Sequence, residues 1–279
     1  MIYANDKDMK TLDRELAETK RIARDAGAIL MRYFAASTAV EWKAPGDPVT
    51  IADREASELI VAELRSLFPE DGILSEEMAD DASRFSRARV WMVDPMDGTR
   101  EFIAGREDFA VMIGLIEKGR PALGVVYQPA TDKLYFSSRG EGAHLEHQAQ
   151  IVRLRVSQET VASRLVIAMS RSHRSARVDR IAEQLRIRQS IRMGSVGLKT
   201  GLICEGRAHL YIHAGNQTKI WDTCAPEAIL IEAGGMMTDI YGNALDYTRQ
   251  EPRNPHGVIA SNGGVHARAV SIAAEVIGN

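Results

Sequence analysis

Apolar side chains recur at helical spacing through Leu12, Leu16, Ile22, Ala26, Ile29, Leu30 and Tyr33, so a long amphipathic helix is expected over residues 9–36. The polar stretch Lys43-Ala44-Pro45-Gly46-Asp47-Pro48 reads as a loop. Ala56, Leu59, Ile60, Leu64 and Leu67 then mark a second helix, which Pro69 stops. From Ile73 to about residue 145 the pattern becomes extended. Val90-Trp91-Met92-Val93 is a short apolar run ending in Asp94-Pro95, and three more runs follow at 109–116, 123–127 and 133–136. Lys118-Gly119 and Thr131-Asp132 separate them as turns, so an antiparallel meander is expected.

Beyond residue 158 the pattern alternates between short strands and helices. Strands are expected at 165–168, 208–212, 236–240 and 258–260. Helices are expected at 174–187, 197–205, 222–233 and 264–277. The chain reads as α+β followed by α/β: a first unit over 1–157 and a second over 158–279, sharing one interface.

Composition narrows the class. The 279 residues are 45% hydrophobic and 26% charged, ordinary for a globular protein, and 35 Lys and Arg against 38 Asp and Glu leave a net charge of −3. That balance argues against general nucleic-acid or membrane-surface binding. The first residues are polar, no apolar run is long enough to span a bilayer, and two cysteines make no disulfide framework, so a reducing cytoplasm is expected.

The most informative segment is Asp94-Pro95-Met96-Asp97-Gly98-Thr99. Pro95 interrupts an apolar strand, Gly98 permits a tight bend, and two carboxylates three apart can turn to one side. Thr99 would open a helix whose free N–H groups suit a phosphate. Two carboxylates with a backbone carbonyl between them suit a hard cation such as Mg²⁺ or Mn²⁺ rather than zinc. Ser75-Glu76-Glu77 follows another apolar stretch, Trp221-Asp222 opens a helix, and Asp53 sits at a third helix start; taken singly, each is also what a solvated surface or a helix cap would give.

Together these segments resemble a known family. G-D-P-V-T-I-A-D, S-E-E, D-P-M-D-G-T-R-E-F and W-D-T-C-A-P-E-A-I-L-I-E-A-G-G stand in the order and approximate spacing of the lithium-sensitive, magnesium-dependent phosphatases. That superfamily includes inositol monophosphatases and 3′(2′),5′-bisphosphate nucleotidases. D-G-T-R-E-F-I most resembles the nucleotidases of the sulfate-assimilation type. The resemblance implies a layered αβαβα sugar-phosphatase fold of the inositol monophosphatase and fructose-1,6-bisphosphatase kind.

It also implies roles. Glu76, Asp94, Asp97, Asp222 and the Met96 carbonyl match the shell of two or three Mg²⁺ ions, which Mn²⁺ can replace and Li⁺ and Ca²⁺ inhibit. Asp53 and Thr99 match the pair that orients and deprotonates an attacking water, with Glu76 beside them. Gly98 and Thr99 match the holders of the scissile phosphate. His173, Ser195, Lys199, His213 and Asp222 match substrate contacts, with Lys199 on the remaining phosphate. The implied substrate is a small phosphate ester, a bisphosphate nucleotide before an inositol phosphate, handled by a monomer or homodimer.

Two features of the second half bear on that choice. Eight arginines fall between 164 and 192 against Asp179 and Glu183, a candidate anchor for a second phosphate as well as an ordinary helix surface. From Ala208 to Trp221 there is no acidic residue, so a polyhydroxy ring lacks the acceptor that inositol monophosphatases usually place there. One departure stands out: Val196, not serine, lies three residues before Lys199. His209 and His213 are four apart, but the segment reads as a strand without H-E-x-x-H and with no cysteine near, so no zinc site is expected there; Gly234-Gly235 reads as a helix stop, and Cys224 reads as a packed helix residue.

Overall fold

The computed structural model describes residues 11–34, 40–44, 47–80, 82–172 and 175–278, and of 40–44, 47–49 and 278 the backbone alone. Two helices, α1 (Asp13–Phe34) and α2 (Ile51–Leu67), flank a hairpin of β1 (Val40–Ala44) and β2 (Asp47–Thr50), where a loop was expected. Seven strands then form one sheet: β3 (Gly72–Ser75), β4 (Arg89–Asp97), β5 (Ala110–Glu117), β6 (Arg120–Gln128), β7 (Lys133–Ser138), β8 (Gly142–His147) and β9 (Gln150–Arg153). β3 runs parallel to β4 and every later pair is antiparallel, so the expected meander is present and longer by two strands. A short helix, α3 (Thr99–Ile103), leaves the end of β4.

The second half builds a five-stranded sheet in the order β11-β10-β12-β14-β13. Its strands are β10 (Val166–Ser170), β11 (Gln189–Met193), β12 (Leu210–His213), β13 (Met236–Thr238) and β14 (Val258–Ser261). The helices between and after them are α4 (Ala176–Gln184), α5 (Val196–Cys204), α6 (Ile220–Glu232) and α7 (His266–Gly278). β11 was not expected, because Gln189, Ser190 and Arg192 leave an edge strand with little apolar alternation.

Strand periodicity sorts the core into three clusters. Trp91, Val93, Val111, Ile113, Leu123 and Val125 face α1 and α2 with Ile22, Leu30 and Ile60. The alternate residues Met92, Met112 and Val126 pack with α5, α6 and one face of the small sheet, at Ala168, Tyr211 and Ala260. Ile167, Leu210, Ile212 and Ile259 turn away toward α4 and α7. The stack is helix, sheet, helix, sheet, helix, the αβαβα order the motifs implied.

Two glycines settle where α6 lies. Gly114 and Gly124 are register partners on β5 and β6. A Cβ on Gly114 would meet the Ala225 nitrogen at 2.8 Å, and one on Gly124 would meet Ala225 Cα at 3.0 Å. Their bare backbone lets α6 press onto the sheet and carries its first turn to the end of β4.

Candidate active site

Chain direction brings the carboxylates together. β3 pairs in parallel with β4, Ser75 beside Val93, and the Glu76 N–H donates to the Val93 carbonyl at 3.1 Å. Glu76 therefore emerges beside Asp94, and α6 supplies Asp222 from the other side. One oxygen from each of Glu76, Asp94 and Asp222 lies within 4.8 Å of the other two. Asp94 is buried and its Oδ1 accepts the Met96 N–H at 3.0 Å. Asp222 is half-buried and its Oδ2 accepts the Lys219 N–H at 2.8 Å, so it also does the capping work that its place at a helix start suggested.

Burial pushes the Asp94 carboxyl well up from the usual range, and the charges of Glu76, Asp97 and Asp222 push it further. Burial and the charges of Asp97 and Glu76 do the same to Asp222, against the pull of the Lys219 N–H. Three oxygen donors that repel one another in a poorly hydrated place could hold a hard cation, which would remove the repulsion.

Asp97 stands slightly apart from that trio. The register of β4 with β5 breaks between Asp94 and Asp97. Gly98 then takes φ +107°, and a Cβ there would meet the Asp108 carbonyl oxygen at 2.8 Å. The bend sends Asp97 across to α5. Its Oδ2 accepts from Ser195 Oγ at 2.7 Å, from the Gly197 N–H at 3.3 Å and from the Val196 N–H. The carboxylate thus sits on the N-terminal end of α5. Burial raises its affinity for a proton, while Lys199 and these donors oppose that.

The expected water-activating pair is also in contact. Thr99 Oγ1 donates to Asp53 Oδ1 at 3.3 Å, with the Met96 carbonyl as a second acceptor at 3.2 Å. Thr50, the N-cap of α2, donates through its N–H and its Oγ1 to Asp53 Oδ2, each at 2.7 Å. Asp53 thus meets Thr50 through Oδ2 and Thr99 through Oδ1, and the capping box that could have explained it away is what aims it.

The substrate residues fare unevenly. His173 lies outside the described residues. Ser195, at φ +45°, bonds Asp97 and caps α5 through the Leu198 N–H. Lys199 is only 3% exposed, with its Nζ 3.2 Å from the Gly194 carbonyl and 5.0 Å from the Tyr211 ring centre. His213, at the end of β12, is half-buried, with Nε2 3.0 Å from Gln217 Oε1.

Other readings resolve as expected or better. His209 Nδ1 accepts the Val166 N–H, as a core histidine would. Cys224 is buried, as a packed helix residue would be, and burial pushes its thiol well above the usual range. Of the arginine stretch, Arg186, Arg188 and Arg192 line an open groove of about 740 Å³ between α4 and β11, and none of the site carboxylates lines it. Arg171 alone of the described arginines in that stretch bonds a carboxylate of the loop after α3, Asp108, at 2.6 Å. Asp108 and Glu101 went unread, because a polar run such as Gly105-Arg106-Glu107-Asp108 carries no signal beyond that of a solvated turn.

Comparison with known proteins supplies an independent measure. A model of the inositol monophosphatase family matches residues 12–277. The chain is 38% identical over 239 residues to the 3′(2′),5′-bisphosphate nucleotidase CysQ of Salmonella typhimurium, covering 85% of this chain and 95% of the relative. It is 31% identical over 258 residues to the protein of that name from Haemophilus influenzae, covering 91% and 96%. Among solved structures, an inositol monophosphatase from Thermotoga maritima superposes with a TM-score of 0.81 at 29% identity, over 95% of this chain and 98% of that one. CysQ from Bacteroides thetaiotaomicron superposes with a TM-score of 0.75 at 28% identity, over 89% and 97%.

Proposed function

The chain belongs to the inositol monophosphatase family, and we propose that within it the protein is a 3′(2′),5′-bisphosphate nucleotidase, a phosphatase that removes the 3′-phosphate of adenosine 3′,5′-bisphosphate to leave AMP. The observation that carries this is the meeting of Glu76, Asp94 and Asp222 beside the Asp53–Thr99 pair, in a chain 38% identical to nucleotidases over 239 residues.

Glu76, Asp94, Asp97, Asp222 and the Met96 carbonyl would hold the metal ions, and an all-oxygen donor set favours Mg²⁺, with Mn²⁺ able to replace it. Bound there, Mg²⁺ supplies positive charge to the phosphate and lowers the pKa of a water, and Li⁺ or Ca²⁺ in its place inhibits. The protein's own groups do the rest. Thr99 Oγ1, donating to Asp53 Oδ1, takes the water's proton as its own passes to Asp53. Thr50 holds the far oxygen of Asp53, so the receiving oxygen stays aimed at Thr99. Gly98 and Thr99 hold the reacting phosphate, and α5 carries Asp97 in place through Ser195. His173, Ser195, Lys199 and His213 flank the rest of the substrate.

Among the described residues no helix is long and apolar enough to cross a membrane, and two buried free cysteines suit a reducing cytoplasm. A monomer or homodimer acting on a small nucleotide fits the residue set. The second reading is an inositol monophosphatase, favoured by the superposition on the Thermotoga enzyme. Against it stands the absence of any acidic residue from 208 to 221, which removes an acceptor for ring hydroxyls.

Phosphate release from adenosine 3′,5′-bisphosphate and from inositol 1-phosphate, side by side with Mg²⁺, decides between them. A nucleotide preference of about a hundredfold in kcat/KM, about 2.7 kcal/mol, is expected. A preference for the inositol ester would overturn the nucleotidase reading and leave the metal chemistry standing.

A further inference from the structure

Two loops of the second half meet one loop of the first. Asp108, between α3 and β5, accepts through Oδ2 from Arg171 Nε at 2.6 Å and from the Gly194 N–H at 3.3 Å. Glu101 of α3, itself buried, accepts the Ser172 hydroxyl. Gly194 has no room for a side chain, since a Cβ there would meet Glu101 Cγ at 2.7 Å and overlap the Asp108 carbonyl oxygen. The next residue, Ser195, holds Asp97. One acidic loop therefore pins the segment after β10 and the segment before α5, and the second of these holds Asp97.

Arg171 is held on two sides. Its Nε goes to Asp108, and its Nη2 goes to the Arg192 carbonyl at 2.8 Å. Nη1 makes no hydrogen bond with the described residues. A guanidinium fixed along one edge presents its remaining N–H groups in a set direction, the geometry that suits phosphate oxygens.

Charge accounting makes that donor matter. Asp97, Glu101, Asp108 and Asp222 all act on the Lys199 ammonium, so this part of the molecule is rich in carboxylates. A substrate with a second phosphate needs a cation there that it can reach. Lys199 is 3% exposed and tied to the Gly194 carbonyl, whereas the Arg171 side chain is 35% exposed. Arg186, Arg188 and Arg192 belong to the α4–β11 groove instead.

We propose that Arg171 is the specificity-determining residue for a substrate carrying a second phosphate: Asp108 and the Arg192 carbonyl fix its guanidinium, and Nη1 is the donor left for that phosphate. This rests on the nucleotidase reading and adds to it the residue that selects the bisphosphate.

The experiment compares adenosine 3′,5′-bisphosphate with adenosine 3′-monophosphate, which lacks the 5′-phosphate, on the full-length enzyme with Mg²⁺. Arg171→Ala should lose about thirtyfold in kcat/KM on the bisphosphate, about 2 kcal/mol, mainly through KM, and less than about threefold on the monophosphate. Arg171→Lys keeps the charge without the fork, so its preference should fall between the two. It also serves should the alanine variant fold poorly. Asp108→Asn, which loosens the guanidinium, should show the same selective loss. Equal losses on both substrates would make Arg171 a structural latch and overturn the proposal, as would no loss on either. A wild-type enzyme that ignores the bisphosphate but cleaves inositol 1-phosphate would sink the nucleotidase reading first, and this assignment with it.

Discussion

The acidic centre and the groove between α4 and β11 are both charged, and they differ in what holds the charge. At the centre, Asp94 is buried with Glu76 and Asp222 close by, and burial together with the charges of Glu76 and Asp97 raises the hold of Asp94 and Asp222 on a proton. Around the groove, Arg186, Arg188 and Arg192 are exposed and form no ion pair with described residues. Solvated arginines cost the fold almost nothing, so their number says little about a ligand. Buried carboxylates that repel one another cost several kcal/mol and persist only if something offsets the cost. Burial of like charge, rather than abundance of charge, is what marks this site.

The sharpest attempt to break that contrast removes one buried charge. Asp94→Asn should lower kcat/KM by at least about a thousandfold, roughly 4 kcal/mol, while raising the melting temperature in EDTA because repulsion is relieved. Turnover near wild type at saturating Mg²⁺ would void the metal assignment.

A buried carboxylate outside the centre sharpens it from another side. Burial pushes Glu227 of α6 up to about 7 from 4.5, although the Tyr247 hydroxyl and Arg120 pull the other way. The folded chain therefore keeps a proton that the unfolded chain releases. This contribution to stability is complete below 4.5 and is lost as pH rises through about 7. Glu227→Gln should flatten the fall in melting temperature between about pH 5 and 8 and stabilise the protein at pH 8 by up to roughly 3 kcal/mol. An unchanged pH slope would mean that Glu227 is not the group responsible.

Next in size is the proton path. Asp53→Asn, or Thr99→Val, should cut kcat by about a hundredfold with KM changed less than about threefold. A kcat within about threefold of wild type would remove the pair from the mechanism. The smallest expected effect lies at the groove: replacing Arg186, Arg188 and Arg192 together by alanine should change kcat/KM by less than about twofold. A large loss there would return the second phosphate to the arginine cluster.

Legibility in the sequence followed how each feature is assembled. Asp94, Asp97 and Thr99 were readable because they fall within six residues around one proline and one glycine, although β4 runs on through Pro95 to Asp97 where the apolar run was expected to end. From position alone Asp53 and Asp222 were readable as helix starts, their site roles coming from the family resemblance, and both do cap their helices. The hairpin of β1 and β2, the outer strands β8 and β9, and β11 escaped notice. Gln189, Ser190 and Arg192 on β11, like Ile151 and Val152 on β9, are exposed, and edge strands without a buried face lose the period of two.

The chain by itself determined the helices and inner strands, through apolar periodicity, and the tight bend at Gly98 after Asp97. Tertiary structure decided which of 38 acidic residues share one place and which of the described arginines between 164 and 192 is held by Asp108. Parallel pairing of β3 with β4 set Glu76 beside Asp94, two bare glycines let α6 deliver Asp222, and Asp108 reached across 63 positions to hold Arg171. Local sequence fixes backbone dihedrals over a few residues, whereas electrostatic repulsion and guanidinium geometry act through space between segments that only packing brings together.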